Sequence, residues 1–216
     1  MASSELKDKV YGELSRITQA ISNPKRMELL DLLSQKSWSV EELAREINMS
    51  VASTSQHLQV LKVARLVQAR RQGNFIFYQV ADDHVLRLVS AVKDLGFTRY
   101  AEIDRVLQDY NEESHSLESI TLEELMKRSG KEKIMLIDVR PPDEYASGHI
   151  RNAISIPLPE LKKRFKDLPK DKTIVAYCRG PLCVMAQEAV KFLNSKKFKA
   201  IRMEDGYVDW KLKQVS

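Results

Sequence analysis

The sequence predicts two domains in series, a mainly α domain followed by an α/β domain on a parallel sheet. Three observations carry this expectation. A chain of 216 residues is long enough for two compact cores. Apolar residues in the first hundred positions recur at spacings of three and four, the period of helices. Later, two short and nearly all-apolar runs, Ile134–Val139 and Thr173–Tyr177, read as strands covered on both faces and alternate with helical patterns.

With 43% hydrophobic and 30% charged residues, no apolar run approaches the roughly 18 to 20 residues of a membrane-spanning helix. The start, MASSELKDKVYGELSR, lacks the apolar stretch of a signal peptide. A cytoplasmic chain with no membrane partner is expected. Cys178 and Cys183 are the only cysteines, too few and too close together for a secreted disulfide framework, so a chemical role is the first one to test.

The net charge of +5 is unevenly spread. Between Glu46 and Asp82 there is no acidic residue, while Lys62, Arg65, Arg70 and Arg71 fall inside that window. From Ala101 to Glu118 the balance reverses, with Glu102, Asp104, Asp109, Glu112, Glu113 and Glu118 against Arg105 alone. Such a break suggests a boundary. The expected division is residues 1–98, a connecting segment 99–118 that includes a helix, and residues 119–216. The least patterned stretch, Asn111–Ser119, is read as the linker. The connecting helix is expected to begin near Thr98, with Tyr100, Ile103, Leu107 and Tyr110 as its stripe.

In the first domain, Leu6, Val10, Leu14, Ile17 and Ile21 form the apolar stripe of one helix. Asn23 and Pro24 restart the chain as cap and first helical residue of a second, filled by Met27, Leu29, Leu30 and Leu33. Ser39 and Glu42 form a capping box for a short third helix with Val40, Leu43 and Ile47, which Asn48 and Met49 end. Ser50 caps a fourth, where Thr54, Leu58 and Leu61 share one face and Ala52, Gln56 and Gln59 the other. A short helix, a tight turn and a helix with an uncharged polar face describe a helix-turn-helix. Leu66–Ala69 and Phe75–Val80 then read as two strands joined by a turn over Arg70–Asn74, a wing. Ser53, Ser55, Gln56 and Gln59 suit base edges, and Lys62, Arg70 and Arg71 suit phosphates. The alternative is a small helical core with a solvated basic hairpin.

NPKRMELLDLL followed by SVEELAREINMSVASTSQHLQVLKVARLVQARRQGNFIFYQV resembles the winged helix-turn-helix of the ArsR/SmtB repressors, from about Ser22 to Leu95. The match includes Ser55, Gln56, His57 and Leu58, then the wing Arg70-Arg71-Gln72-Gly73. The resemblance implies regulated binding to a double-stranded DNA operator by a homodimer. Its interface would be the first helix and the helix Asp83–Leu95, with Val85, Leu88, Val89, Val92 and Leu95. Departures fall at the family's sensing sites. Where its thiolate metal site reads C-V-C, this chain has Ser39, Val40 and Glu41, which hold no soft metal. Asp82 and His84 resemble the first pair of an alternative metal site, but Leu95 stands where a further histidine belongs. Neither a metal nor a cofactor is expected, and the signal has to enter through the second domain.

There a strand ending at Tyr177, the loop CRGPLC, and a helix with Met185, Ala189, Phe192 and Leu193 place Cys178 at the carboxyl edge of a parallel sheet and near a helix start. Curled loop amides and Arg179 are expected to lower the Cys178 pKa and to bind an anion. Phosphatase chemistry on a C-x5-R loop competes, but Val184 occupies the arginine position.

IDVRPPDEYASGHIRNAISIP, VAYCRGPLCVMAQEAVKFL and MEDGYVDWK together resemble a single rhodanese domain over about Ser119–Lys213. The fold class is thus a winged helix-turn-helix followed by an α/β rhodanese-like parallel sheet. The resemblance implies that Cys178 attacks the outer sulfur of a small sulfane-sulfur donor, thiosulfate or a persulfide, and passes it to a thiol acceptor. Arg179 and the amides of Gly180, Leu182 and Cys183 would hold the donor's anionic end. Asp138, Arg140, Glu144, His149, Arg151, Asp205, Gly206 and Trp210 match the pattern as pairing, packing and turn residues. Cys183, at the far end of the loop, would attack a Cys178 persulfide to give a disulfide or a sulfur-bridged pair; otherwise it is a small inert thiol. The expected function is a DNA-binding regulator, a repressor, in which a Cys178 persulfide senses or transfers sulfane sulfur. The alternative is a working sulfurtransferase whose DNA-binding domain answers a different signal.

Overall fold

A computed structural model describes residues 2–110, 117–129 and 132–214. Two compact units divide the chain, Met1–Val92 and Lys93–Ser216.

The first unit opens with helix α1 (Ala2–Ile21) and α2 (Pro24–Leu33). The Asn23 side chain accepts the Arg26 amide at 3.1 Å, and Pro24 follows at the first helical position, where no amide donor is needed. A two-residue strand β1 (Trp38–Ser39) leads into α3 (Val40–Glu46), whose capping box is complete. Ser39 Oγ accepts the Glu42 amide at 3.2 Å, and Glu42 accepts the Ser39 amide at 2.8 Å. Asn48 takes a positive φ of 52°, which asparagine tolerates, and so turns the chain toward α4 (Val51–Val63), capped by Ser50. Thr54, Leu58 and Leu61 of α4 are buried, the two leucines in one core with Leu29, Leu30, Leu33 and Leu43.

Strands β2 (Val67–Gln72) and β3 (Phe75–Val80) complete an antiparallel sheet in the order β1-β3-β2. The register, Gln72 opposite Phe75, corrects the expected wing turn. Arg70 and Arg71 belong to the strand, opposite Phe77 and Ile76, and only Gly73 and Asn74 turn. Gly73 supplies the positive φ, 61°, that a tight hairpin needs at its first turn residue. A hairpin ladder is satisfied by backbone alone, so exposed arginines do not shorten it.

Helix α5 (Asp83–Arg99) runs across the division, and α6 (Ala101–Tyr110) follows. The expected connecting helix therefore begins at Ala101, because α5 continues through Thr98 and Arg99. Ile103 and Leu107 of its stripe are half-buried and Tyr100 is exposed; the Tyr110 side chain and residues 111–116, most of the expected linker, lie outside the described residues.

In the second unit, β4 (Ser119–Ile120), α7 (Leu122–Ser129), β5 (Ile134–Asp138), α8 (Pro142–Ser147), β6 (Ile154–Ser155), α9 (Leu158–Arg164), β7 (Thr173–Tyr177), α10 (Met185–Ser195), β8 (Ala200–Met203) and α11 (Tyr207–Gln214) follow in turn. All four pairings in the sheet β4-β8-β7-β5-β6 are parallel. Alternate residues serve opposite faces. Ile174, Ala176 and Cys178 join Leu161 of α9 and Ala189, Val190 and Leu193 of α10 in one core; Val175 and Tyr177 join Leu122 and Leu125 of α7 in the other. Every residue of β7 is buried, as two covered faces require. From β5 the chain crosses to β6 on one side and then to β7 on the other. Asp138 and Cys178, at the carboxyl ends of β5 and β7, therefore flank the point where strand order reverses, the usual place for a site in open parallel sheets.

Candidate functional site

The segment from Cys178 to Val184 curls between β7 and α10. Gly180 turns it with a φ of 122°, and the Cys183 amide donates to the Gly180 carbonyl at 3.1 Å. Gly206 lies against the loop. A Cβ there would meet the Arg179 carbonyl oxygen at 2.6 Å and the Gly180 nitrogen at 2.7 Å, so only glycine lets the two segments touch. The Gly206 amide in turn donates to Asp209 at 2.7 Å.

Cys178 is only 3% exposed, whereas Cys183 is half-buried. The Cys178 thiol donates to the Cys183 carbonyl at 3.3 Å and points toward that of Gly180 at 3.9 Å. Hydrogen bonding to the Cys183 sulfur, with burial, pushes the Cys178 thiol well above its ordinary range. Cys183 is drawn down to about 6, chiefly by the hydrogen bond that it takes from Cys178, with help from the Arg179 and Met185 amides. This corrects the expectation for Cys178. Acidification falls on the second cysteine, because the bond to Cys183 and burial outweigh the Ala186 and Gly180 amides that face the first sulfur.

The expected anion cradle is also redrawn. Arg179 pairs with Glu144 of α8, Nη2 to Oε1 at 2.6 Å and Nε to both carboxylate oxygens at 3.1 Å. Glu144 is fully buried, so the guanidinium is held and largely neutralised from below. The Cys183 amide is spent within the loop, and Pro181 has none. Leu182, expected through its amide, exposes an apolar side chain at the rim. Beneath the loop, Arg140 pairs with Asp138 at 2.6 Å, both side chains wholly buried, and also donates to the Gly148 carbonyl at 2.8 Å. The buried Tyr177 hydroxyl accepts the Ile150 amide at 3.1 Å, and His149 stacks on Tyr145. Val184 heads α10 without a side-chain cap, so no arginine closes the loop as a phosphatase requires. Among the described residues, no group of three or more His, Cys, Asp or Glu is placed to hold a metal ion.

On the first unit, Gln56 is exposed on α4, and Ser55 is half-buried beside it. Ser53 is engaged by the cap, since Ser50 Oγ donates to its hydroxyl at 2.9 Å. Gln59 donates its amide to the hydroxyl of buried Tyr78 at 3.0 Å, a tie across to β3 that sequence spacing does not reveal. Lys62, Arg70 and Arg71 are exposed, with Arg71 reaching the Gly73 carbonyl at 3.2 Å. Phe75 and Ile76 are exposed at the wing tip, apolar residues that the expectation for the wing did not single out. On α1, Leu6, Val10, Tyr11 and Leu14 are exposed, as are Val92 and Leu95 of α5. His84 is exposed beside Asp82, 3.6 Å away.

Fold and loop together define a class: a helix-turn-helix regulator joined to a rhodanese. The bacterial regulatory protein arsR family matches residues 23–69, and the rhodanese-like domain family matches residues 121–213. An HTH-type transcriptional regulator of Mycobacterium tuberculosis is 36% identical over 209 residues, covering 97% of this chain and 92% of that protein. The chain belongs to the ArsR family of transcriptional regulators, in the form that carries a carboxyl-terminal rhodanese-like domain. The transcriptional repressor SmtB homolog of Synechocystis is 32% identical over 82 residues, 38% of this chain and 62% of that one. A homodimeric winged helix-turn-helix domain of a possible ArsR-family regulator from Mycobacterium bovis, solved in solution, is 33% identical. It covers 44% of this chain and 87% of its own, with a TM-score of 0.42. No helix among the described residues is long and apolar enough to cross a membrane.

Proposed function

We propose that this regulator is a homodimeric repressor that senses sulfane sulfur through a persulfide on Cys178. The observation that carries the reading is the paired cysteine loop at the strand-order reversal, with the Cys178 thiol on the Cys183 carbonyl and the Cys183 thiol acidified. Cys178 passes its proton to the Cys183 thiolate, and its own thiolate attacks the outer sulfur of a low-molecular-weight persulfide. The sulfur–sulfur bond of the donor breaks, the remainder leaves as a thiolate, and the outer sulfur stays on Cys178. A thiol acceptor later removes it by the same exchange. On DNA, Gln56 and Ser55 face base edges, while Lys62, Arg70 and Arg71 face phosphates. Exposed apolar residues on α1 and α5 support a second copy as their cover.

Operator binding measured with and without a persulfide donor, on the wild type and on Cys178→Ser, tests this. The wild-type affinity should change at least severalfold and the variant's should not. An unchanged wild type with rapid sulfur transfer would instead leave a sulfurtransferase whose DNA-binding domain answers another signal.

A further inference from the structure

We infer that Cys183 is a second nucleophile, which closes the Cys178 persulfide to an intramolecular disulfide and expels hydrosulfide. The inference rests on the Cys178 reading above and adds the fate of the sulfur.

Four features of the loop carry it. The Cys183 amide bonded to the Gly180 carbonyl curls the loop back on itself. The Cys178 thiol lies 3.3 Å from the Cys183 carbonyl oxygen, which places one sulfur beside the backbone of the other cysteine. Loop and Gly206 touch backbone to backbone at Arg179 and Gly180, which holds the curl in place. Cys183 is also the more exposed of the two, so it is not merely a small filler of the core. The titrations of the two cysteines are coupled, and after the first exchange the proton taken from Cys178 resides on Cys183.

The step balances without an outside oxidant. Cys183 sulfur attacks the inner sulfur of Cys178–S–S⁻, and a new sulfur–sulfur bond forms between the cysteines. The bond to the outer sulfur breaks, and that atom leaves as HS⁻ with the bonding pair and the Cys183 proton. The two cysteine sulfurs lose two electrons, and the sulfane sulfur gains them. Persulfide at Cys178 is then transient, and the lasting record of the signal is a closed loop. A reducing thiol resets it.

The test treats the full-length chain anaerobically with sodium tetrasulfide, removes excess reagent, and locates the products by intact mass and peptide mapping. Wild type should become two hydrogens lighter, with Cys178 and Cys183 in one cross-linked peptide. Cys183→Ala, kept longer at alkaline pH to offset the lost proton acceptor, should become one sulfur heavier at Cys178. Wild type that stops at the same stable Cys178 persulfide overturns the inference but leaves the sensing reading intact. Sulfur found on Cys183 in Cys178→Ser, or no sulfur on Cys178 in Cys183→Ala, overturns the sensing reading itself. The wild-type product alone decides the inference should the alanine variant fold poorly.

Discussion

The proposed division of labour between Cys178 and Cys183 has a pH signature. Cys183 carries its charge above about 6, whereas an ordinary thiol ionises near 8.5. Below about 6 the thiolate gives way to the thiol, each pH unit removing most of what remains. Alkylation of Cys183 by iodoacetamide should therefore rise between pH 5 and 7 and then level off; a midpoint near 8.5 would refute the shift. In Cys178→Ala the largest cause is gone, and the midpoint should move upward. Glu144 makes a second residue-scale prediction. With its carboxylate on Arg179 at 2.6 Å, the guanidinium offers a dianion little. Glu144→Gln keeps the shape and removes the charge, so kcat/KM for thiosulfate relative to an uncharged donor should rise about tenfold, or about 1.4 kcal/mol. An equal change for both donors would show that the pair serves the loop's shape alone. The cysteine loop was legible in the sequence because strand, loop and helix follow one another there. Glu144 was not legible as Arg179's partner, since they stand 35 positions apart and only packing of α8 against the loop joins them.

At the scale of elements, the wing is proposed to supply affinity and α4 to supply discrimination. Arg70 and Arg71 extend along β2 as exposed side chains. Replacing both by alanine should weaken binding to every duplex alike and lower the slope of log affinity against log salt by about two. An unchanged slope would remove the wing from the interface. Gln56→Ala should cost about 1–3 kcal/mol on the operator and little on random DNA. Equal losses on both would deny it a base contact. Caps announced α2, α3 and α4 in advance, because Asn23, Ser39 and Ser50 each satisfy an amide within three residues. The wing's true length and the start of α6 escaped, since charged strand residues and a helix that simply continues leave no local signal. Gln59 escaped as well, its tie to Tyr78 being tertiary.

For the whole molecule, α5 spans the division between the two units, which makes continuity of the chain the simplest carrier of a signal. A flexible glycine-serine insertion near Ser116 should preserve both operator binding and sulfur chemistry while abolishing the effect of one on the other. A response that survives would exclude the connection. The α1 stripe has a further consequence. Leu6, Val10, Tyr11 and Leu14 face solvent on a single chain, so under the proposal that a second copy covers them the competent species would be set by mass action. Below the dissociation constant of the pair, operator occupancy climbs as the square of the amount of protein made. The cell's synthesis rate thereby enters the circuit as a second input, and a repressor acting on its own promoter would settle at a level fixed by the grip of one helix.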